Sequence, residues 1–251
     1  MTNVTVMAVS DTGEEGLVSW EHATIEGVDF RKAAFAELRP SGCLFVGCDF
    51  RGLVFDPRLQ PLFSGPSRSV FRDCRFDGAD LRKASPGPSR FESCSFDGAE
   101  MKGWISSYAE FVDCHFAGRV QGAKFYGKPH GVTPAELDPP RSVNEFVRND
   151  FRDAVLVDTL FVHGIQFGKQ QWPGEPDHVR FERVHQRLQR ARVDVMQWAD
   201  SEERTAALEM VLRLSTLYQQ QTELVRVRHD GGHTDVAIQD RVWALVARPL
   251  I

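Results

Sequence analysis

Three groups of side chains in this sequence are chemically capable: five cysteines, a histidine–aspartate cluster near residue 230, and two short acidic runs. Cys43, Cys48, Cys74, Cys94 and Cys114 are odd in number and regularly spaced, with no Cys-x-x-Cys pair and no paired histidines. That pattern fits buried thiols in a reducing compartment better than a disulfide frame or a zinc site. Desolvation raises a thiol pKa and lowers its reactivity, which argues against a redox role. His229, Asp230, His233 and Asp235 carry metal-ligating groups, but two glycines and a threonine make HDGGHTD a better turn than a preorganised site. Phe76–Asp80 (FDGAD) and Phe96–Glu100 (FDGAE) place Asp77, Asp80, Asp97 and Glu100 at matching positions, whose ordinary reading is a solvated face. There is no Gly-rich phosphate loop, HExxH, GxSxG or paired metal-ligand motif. No catalytic residue, metal ligand or cofactor is therefore assigned, and the chain is read as a non-enzyme.

The elements that hold these residues follow from an internal repeat. Rows of twenty begin at Ser69 (SVFRDCRFDGADLRKASPGP), Ser89 and Ala109, with earlier rows from Ala23 and Cys43 and a later one from Asn144. A large apolar residue recurs every five positions, with a small residue two before it. The first large column is Ile25, Phe45, Phe71, Phe91, Phe111, Phe146, and the second is Phe30, Phe50, Phe76, Phe96, Phe116, Phe151. The third is Phe35, Phe55, Leu81, Met101, then Leu156 after a break at Gln121; the small column is Val28, Cys48, Cys74, Cys94, Cys114, Asn149. A period of five fits neither a helix at 3.6 nor a half-buried strand at 2. It fits a coil of five-residue sides, each turning its large and small residue inward and stacking like on like in successive coils. The expected core ladder is Phe45, Phe50, Cys48, Phe71, Cys74, Phe76, Phe91, Cys94, Phe96, Phe111, Cys114, Phe116, Phe146 and Phe151.

These motifs resemble the pentapeptide-repeat family, with its small residue two before a central Leu or Phe, over residues 23 to about 167. The resemblance implies a right-handed quadrilateral β-helix, a β-solenoid here of about six coils, followed by an α-helical C-terminal segment. Partial similarity to the quinolone-resistance branch, DNA mimics that bind topoisomerases, would make the protein a protector or inhibitor of DNA gyrase. The acids at 77, 80, 97 and 100 would then form its ladder. The fourth column (Pro40, Gln60, Pro86, Ser106, Tyr126, Phe161) is irregular and loop-like. In the Ala109 row a one-residue slip should turn Ala123 and Phe125 inward, sparing burial of Arg119 and Gln121.

Two insertions interrupt the rows, near 56–68 and at 129–143, both rich in proline. Loops on a rigid scaffold often carry binding, although tolerated decoration is equally consistent. Candidate partner-binding residues are Arg58, Leu62, Phe63, Asp77, Asp80, Asp97, Glu100, His130, Glu136 and Asp138. Residues 1–22 form an N-terminal cap or flexible segment, 168–176 a linker, and 177–251 the helical segment. There Phe181, Val184, Leu188, Ala191, Val195 and Trp198 follow a 3,4,3,4,3 spacing, the seam of a helix packing on another helix. An intramolecular bundle and a homodimer interface both satisfy that seam. Asp200 with Glu203 reads as a helix N-cap, the stripe Leu208, Val211, Leu214, Tyr218, Val225 as the next helix, and Ile238, Val242, Leu245, Val246 as a last one.

Charge narrows the partner. The 251-residue chain is formally at -5; residues 23–167 hold 19 acids and 18 bases, and 168–251 hold 12 of each. Neither segment is a basic nucleic-acid binder or a strongly acidic mimic by net charge. No run approaches a membrane span, and no basic leader precedes an apolar stretch, so a soluble, cytoplasmic protein is expected. The leading expectation is a non-catalytic protein-binding scaffold whose partner is another protein. Gyrase binding by DNA mimicry is the specific alternative, and an enzyme activity in the helical segment is a second one. Direct nucleic-acid or membrane binding is not expected.

Overall fold

The computed structural model describes residues 17–33, 37–54, 63, 65–82, 85–174, 178–227 and 234–250. Strands of two to seven residues form around the inward-pointing side chains. Thr24–Glu26, Leu44–Val46, Val70–Arg72, Arg90–Glu92, Glu110–Val112 and Phe146–Val147 pair in parallel as one six-stranded sheet. Ile25, Phe45, Phe71, Phe91, Phe111 and Phe146 lie in register across it, each fully or nearly buried. At the corner after these strands, Asp73, Ser93, Asp113 and Arg148 adopt φ of 51 to 55°, left-handed backbone that lets the chain turn. Ser95–Asp97, His115–Gln121 and Ala154–Val157 form a second parallel sheet, and Ile105–Ser106, Lys124–Tyr126 and Leu160–Val162 a third. Leu17–Glu21 pairs in parallel with Glu37–Ser41.

The interior consists of aromatic columns. Phe45, Phe71, Phe91 and Phe111 stack at ring-centroid spacings of 4.5, 5.2 and 5.2 Å. Beside them run Phe30, Phe50, Phe76, Phe96, Phe116 and Phe151, stacked at 4.7, 4.9, 5.1, 4.9 and 4.5 Å. The two columns meet edge to face, as at Phe91 and Phe96, 5.6 Å apart, the arrangement aromatic quadrupoles favour. All five cysteines are buried and free. The Cys94 and Cys114 thiols donate to the Phe71 and Phe91 carbonyls at 3.2 and 3.4 Å. Cys74 donates to Phe45 at 3.7 Å, across the six-residue insertion at 63–68. Burial pushes the Cys43 and Cys94 thiols up, away from reactive thiolate. The slip in the Ala109 row is present: Val120, Ala123 and Phe125 are buried, and Arg119 is exposed.

The fold class expected from the repeat is corrected. A quadrilateral β-helix of about six coils would close four continuous sheets. The described residues instead form five separate sheets, of which only one has six strands and the others two or three. Between sheets the rows touch through isolated bridges such as Asp29↔Asp49, Asp49↔Arg75 and Val54↔Asp80. The physical reason lies in the corners. Pro86 and Pro88 remove amide donors where a ladder would need them, and the Asp97–Gly98 pair ends the strand Ser95–Asp97 after three residues. The architecture is of mixed α/β type: several short parallel sheets followed by three α-helices and one antiparallel strand pair. Phe35 and Phe55, placed in the third column by the repeat, lie outside the described residues.

The C-terminal segment differs from the expected run of helices. Val179–Glu182 pairs antiparallel with Glu223–Arg226, setting Phe181 opposite Leu224. Phe181 and Val225 therefore belong to strands, and helix α1 begins only at Val184 and ends at Met196. Helix α2 spans Glu202–Leu217 and is capped by Ser201, whose hydroxyl accepts the Arg204 N–H at 3.3 Å; Asp200 pairs with the Arg204 side chain instead of capping. Helix α3 spans Val236–Ala247, with Asp235 as N-cap accepting the Ala237 N–H at 2.7 Å. Within the stretch expected to link the two regions, Trp172 stacks on Phe151 at 5.3 Å, and buried Gln170 accepts the Asn149 N–H at 3.0 Å. No helix of the described residues is long and apolar enough to cross a membrane.

Candidate partner-binding surface

The acidic runs become surface pairs because the Asp-Gly corner turns the chain outward after each buried Phe. Gly78 and Gly98 take φ of 66 and 63°, which a side chain would strain. The Asp77 carboxylate accepts the Asp97 N–H at 3.1 Å, so the acids of successive rows stack. Asp77 also accepts from Arg75 at 3.0 Å, and Asp80 from the Arg82 Nε at 2.8 Å. The same Asp-x-Arg clasp recurs at Asp29–Arg31, Asp49–Arg51 and Asp150–Arg152. Hydrogen bonds from these guanidinium groups hold the Asp49 and Asp80 carboxyls below their ordinary range, and Asp150 at about 2. Asp97 and Glu100 are exposed, so the acids segregate only in part, and arginines interleave them. Such clasps contribute little stability each, about 0–1 kcal/mol at a solvated surface.

The 129–143 segment lies fixed against this stack. Pro134–Glu136 makes one 3-10 turn, its Glu136 carboxylate accepting the Thr133 N–H at 2.5 Å, while Leu137 is buried. The Arg68 N–H donates to the Asp138 carbonyl at 2.8 Å. Arg141 reaches under the segment and bonds the Tyr108 carbonyl. Its guanidinium lies 4.0 Å from Glu110, which also accepts from Arg68 at 2.7 Å and from the Glu145 N–H at 3.2 Å, with Arg90 at 3.5 Å. Glu110 is only 4% exposed. It is the latch of the segment, and neither it nor Arg141 figured among the sequence candidates. The signal was present: row register sets Val70, Arg90 and Glu110 side by side, an opposite-charge neighbour pair in a column that is otherwise unremarkable.

Of the sequence candidates, Glu136, Asp138 and His130 stand exposed on this segment and Asp97 and Glu100 on the stack, while Asp77 and Asp80 are half-buried under their arginine partners. Arg58 and Leu62 lie outside the described residues, as do His229, Asp230 and His233. Phe63 does not protrude. It is 1% exposed and meets Phe71 edge to face at 5.2 Å, so the insertion adds a side chain to the core and is not a binding tip there. Among the described residues no group of three or more His, Cys, Asp or Glu side chains is placed to hold a metal. In the helical unit Val184, Leu188, Ala191 and Val195 are buried against α2 and α3, which fills the expected seam within the chain. Trp198 lies beyond the end of α1, its ring beneath the Arg241 guanidinium at 3.8 Å.

His130 stacks on Tyr126 at 4.9 Å and meets the edge of His163 at 4.9 Å. Burial first, and then nearby His130 and Lys128, hold His163 below its ordinary pKa. The folded state thus favours neutral His163, while the unfolded chain takes up a proton below about pH 6.5. This contribution is complete above that pH and is lost as pH falls toward the depressed folded value. His163 has φ of 59°, which asparagine tolerates. The urea midpoint of the wild type is expected to fall more between pH 7 and 5.5 than that of His163→Asn; equal falls would remove His163 as the cause.

No family model matches this chain, and no curated protein matches it. Among solved structures, likenesses are found to QnrB1, described as a plasmid-mediated fluoroquinolone resistance protein. One trypsin-treated form is 15% identical, with 61% of this chain and 69% of that one covered, at a TM-score of 0.29. A second trypsin-treated form is 21% identical, covering 62% and 82%, at 0.17. The full-length form is 20% identical over the same shares, at 0.19. At these TM-scores the likenesses carry no argument about fold or function.

Proposed function

We propose that this protein is a non-catalytic scaffold that binds another protein through the surface shared by the acid stack and the 129–143 segment. The observation that carries the reading is the anchoring of an irregular fifteen-residue segment, by the Arg68 N–H on the Asp138 carbonyl, the His130 N–H on the Ser107 carbonyl, and Arg141 on the Tyr108 carbonyl and beside Glu110, with His130, Glu136 and Asp138 exposed. A loop ordered before binding loses little conformational entropy when it docks, and that favours recognition. The clasped acids supply a mixed-charge flank suited to a protein partner more than to a polyanion.

The test uses the full chain immobilised beside a variant carrying Asp97→Lys, Glu100→Lys and His130→Ala, substitutions on exposed side chains that leave the latch intact. A host protein retained by the wild type and weakened by about tenfold or more on the variant, roughly 1.4 kcal/mol, is the expected result. Equal retention on both columns refutes the assignment of this surface.

DNA mimicry toward gyrase is the second reading, favoured by the stacking of Asp77 on Asp97 and of Asp80 beside Glu100. Arg75 and Arg82 neutralise two of those four acids, which weighs for the scaffold. Supercoiling by purified DNA gyrase is expected to be unaffected by micromolar protein. Inhibition would favour the mimic instead.

A further inference from the structure

Ala154–Val157 is the edge of its three-stranded sheet and pairs with His115–Gln121. An edge strand must find acceptors for its outward amides away from the sheet. Leu156 finds one beside the helical unit: its backbone N–H donates to Nε2 of His178 at 3.2 Å, where both residues are buried. An amide N–H can only donate, so Nε2 must carry a lone pair, and the ring is neutral with its proton on Nδ1. Among the described residues, the other hydrogen bonds between the helical unit and the end of the stack come from buried Gln221, whose side chain accepts the Gly164 N–H and donates to the Ile165 carbonyl at 3.2 Å. A glutamine does not titrate, so His178 is the hydrogen-bonding group of this junction that protons can change.

We propose that His178 is an acid-sensitive clasp between the helical unit and the stack. Neutral, it accepts from Leu156 and seats the strand Val179–Glu182 that follows it. Protonated, it becomes a donor facing a donor and lets that strand go, while Gln221 keeps the unit attached. The imidazole of the unfolded chain takes up a proton below about pH 6.5. The contribution of the clasp is therefore complete above that pH and is lost as pH falls from there. On the stack side, Ala154–Val157 lies between Asp153 and Asp158, with Arg119 opposite Val155; two acids against one base do not oppose a proton on the ring. On the helical side Arg180 pairs with Glu223 at 2.6 Å and lies 3.6 Å from Glu182, and Arg226 pairs with Asp240 at 2.8 Å, so these charges are met without His178.

The experiment uses the full chain labelled with ¹⁵N. At about pH 7.5, long-range proton–nitrogen spectra of the His178 imidazole are expected to show Nδ1 protonated and Nε2 bare; a proton on Nε2 would overturn the proposal. Amide hydrogen exchange is followed at Leu156 and, as an internal reference, at Phe116, whose N–H donates to the Asp150 carbonyl within the stack. Between about pH 7.5 and 5.5 the protection factor of Leu156 is expected to fall about tenfold more than that of Phe116, within the range that a buried donor loses with its acceptor. A loss of global stability through His163 would lower both alike. In His178→Gln, whose amide oxygen accepts throughout this pH range, the extra fall should vanish. Should that variant fail to fold, the tautomer and the wild-type comparison suffice. Equal falls at Leu156 and Phe116 in the wild type, or an extra fall that persists in His178→Gln, would overturn the clasp.

Discussion

Glu110→Ala is expected to lower the free energy of unfolding by about 3–5 kcal/mol, the scale on which a buried charge loses its partner. Glu110 is 4% exposed and faces three guanidinium groups, those of Arg68 at 2.7 Å, Arg90 at 3.5 Å and Arg141 at 4.0 Å. Arg90 also holds Glu92 at 2.6 Å and Glu145 at 2.8 Å, so it keeps partners when Glu110 is removed. Arg141 keeps only carbonyl partners, those of Tyr108 and Pro139, and no opposite charge: burial already pushes its pKa down, and Glu110 is the attraction that opposes Arg68 and Arg90. The alanine variant leaves that guanidinium desolvated and repelled, and the Glu145 N–H loses its acceptor. The 129–143 segment should then detach, which amide hydrogen exchange at His130 and Asn144, bonded to the Ser107 and Gly127 carbonyls, would register as lost protection. Asp113→Asn is the control, because its pair with Arg148 at 2.6 Å is 43% and 62% exposed and asparagine keeps the left-handed backbone there; a cost under about 1 kcal/mol is expected. Urea unfolding of both variants decides the matter, and equal costs would show that Glu110 is not a latch.

The parts of this molecule that were legible in the sequence are those where one physical demand repeats. Phe45, Phe71, Phe91 and Phe111 could be aligned because each occupies the same inward position in its row. The slip at Arg119 was legible because the alternative buried a charge. Demands that arise once left weaker traces. Trp104, 1% exposed and packed edge to face on Phe111 at 5.6 Å, occurs in one row only and went unrecognised. Phe63 sits among prolines, the usual mark of a protruding loop, yet its ring has more to gain beside Phe71 than in water. The fold class went astray because the spacing specifies which residues face inward but not whether the backbone between them forms ladders. Corners built on Asp-Gly and proline leave bridges where continuous sheets were expected.

The C-terminal unit shows the opposite failure, a period that was real but belonged to two kinds of element. Phe181 and Val184 are three apart and both buried, as on one helix face. Arg183, at φ of 54°, stands between them and ends the strand that pairs with Glu223–Arg226. The β-branched Val225 on the partner side favours that strand, and its long-range pairing cannot be read from a local window. The Glu110 latch was hidden differently. Its partners come from residues 68, 90 and 141, and only register across two insertions brings them together.

The same stacking makes Phe91→Ala the costliest single truncation in the core. Phe91 is fully buried, stacked on Phe71 and on Phe111 at 5.2 Å each, and in edge contact with Phe76 at 5.7 Å, Phe96 at 5.6 Å and Trp104 at 6.2 Å. Truncating a buried phenylalanine costs about 3–5 kcal/mol through lost transfer energy and the cavity left behind. Aromatic pairs add about 0.5–1.5 kcal/mol beyond area, so a value at the top of that range is expected. Backbone on both sides of the ring is held in paired strands, which limits collapse into the void. Phe91→Leu keeps most of the volume and should cost about 1–2 kcal/mol, a change of shape without a large cavity. Phe167→Ala is the informative contrast: that ring is just as buried, but among the described aromatic rings it pairs with Phe161 and Trp172 alone, at 6.1 and 5.0 Å. Its cost should fall nearer 3 kcal/mol. Calorimetric midpoints ordered Phe91→Ala, Phe167→Ala, Phe91→Leu from lowest to highest would support a column whose layers depend on both neighbours. Equal midpoints for the two alanine variants would mean that burial alone, and not stacking, sets the stability of the core.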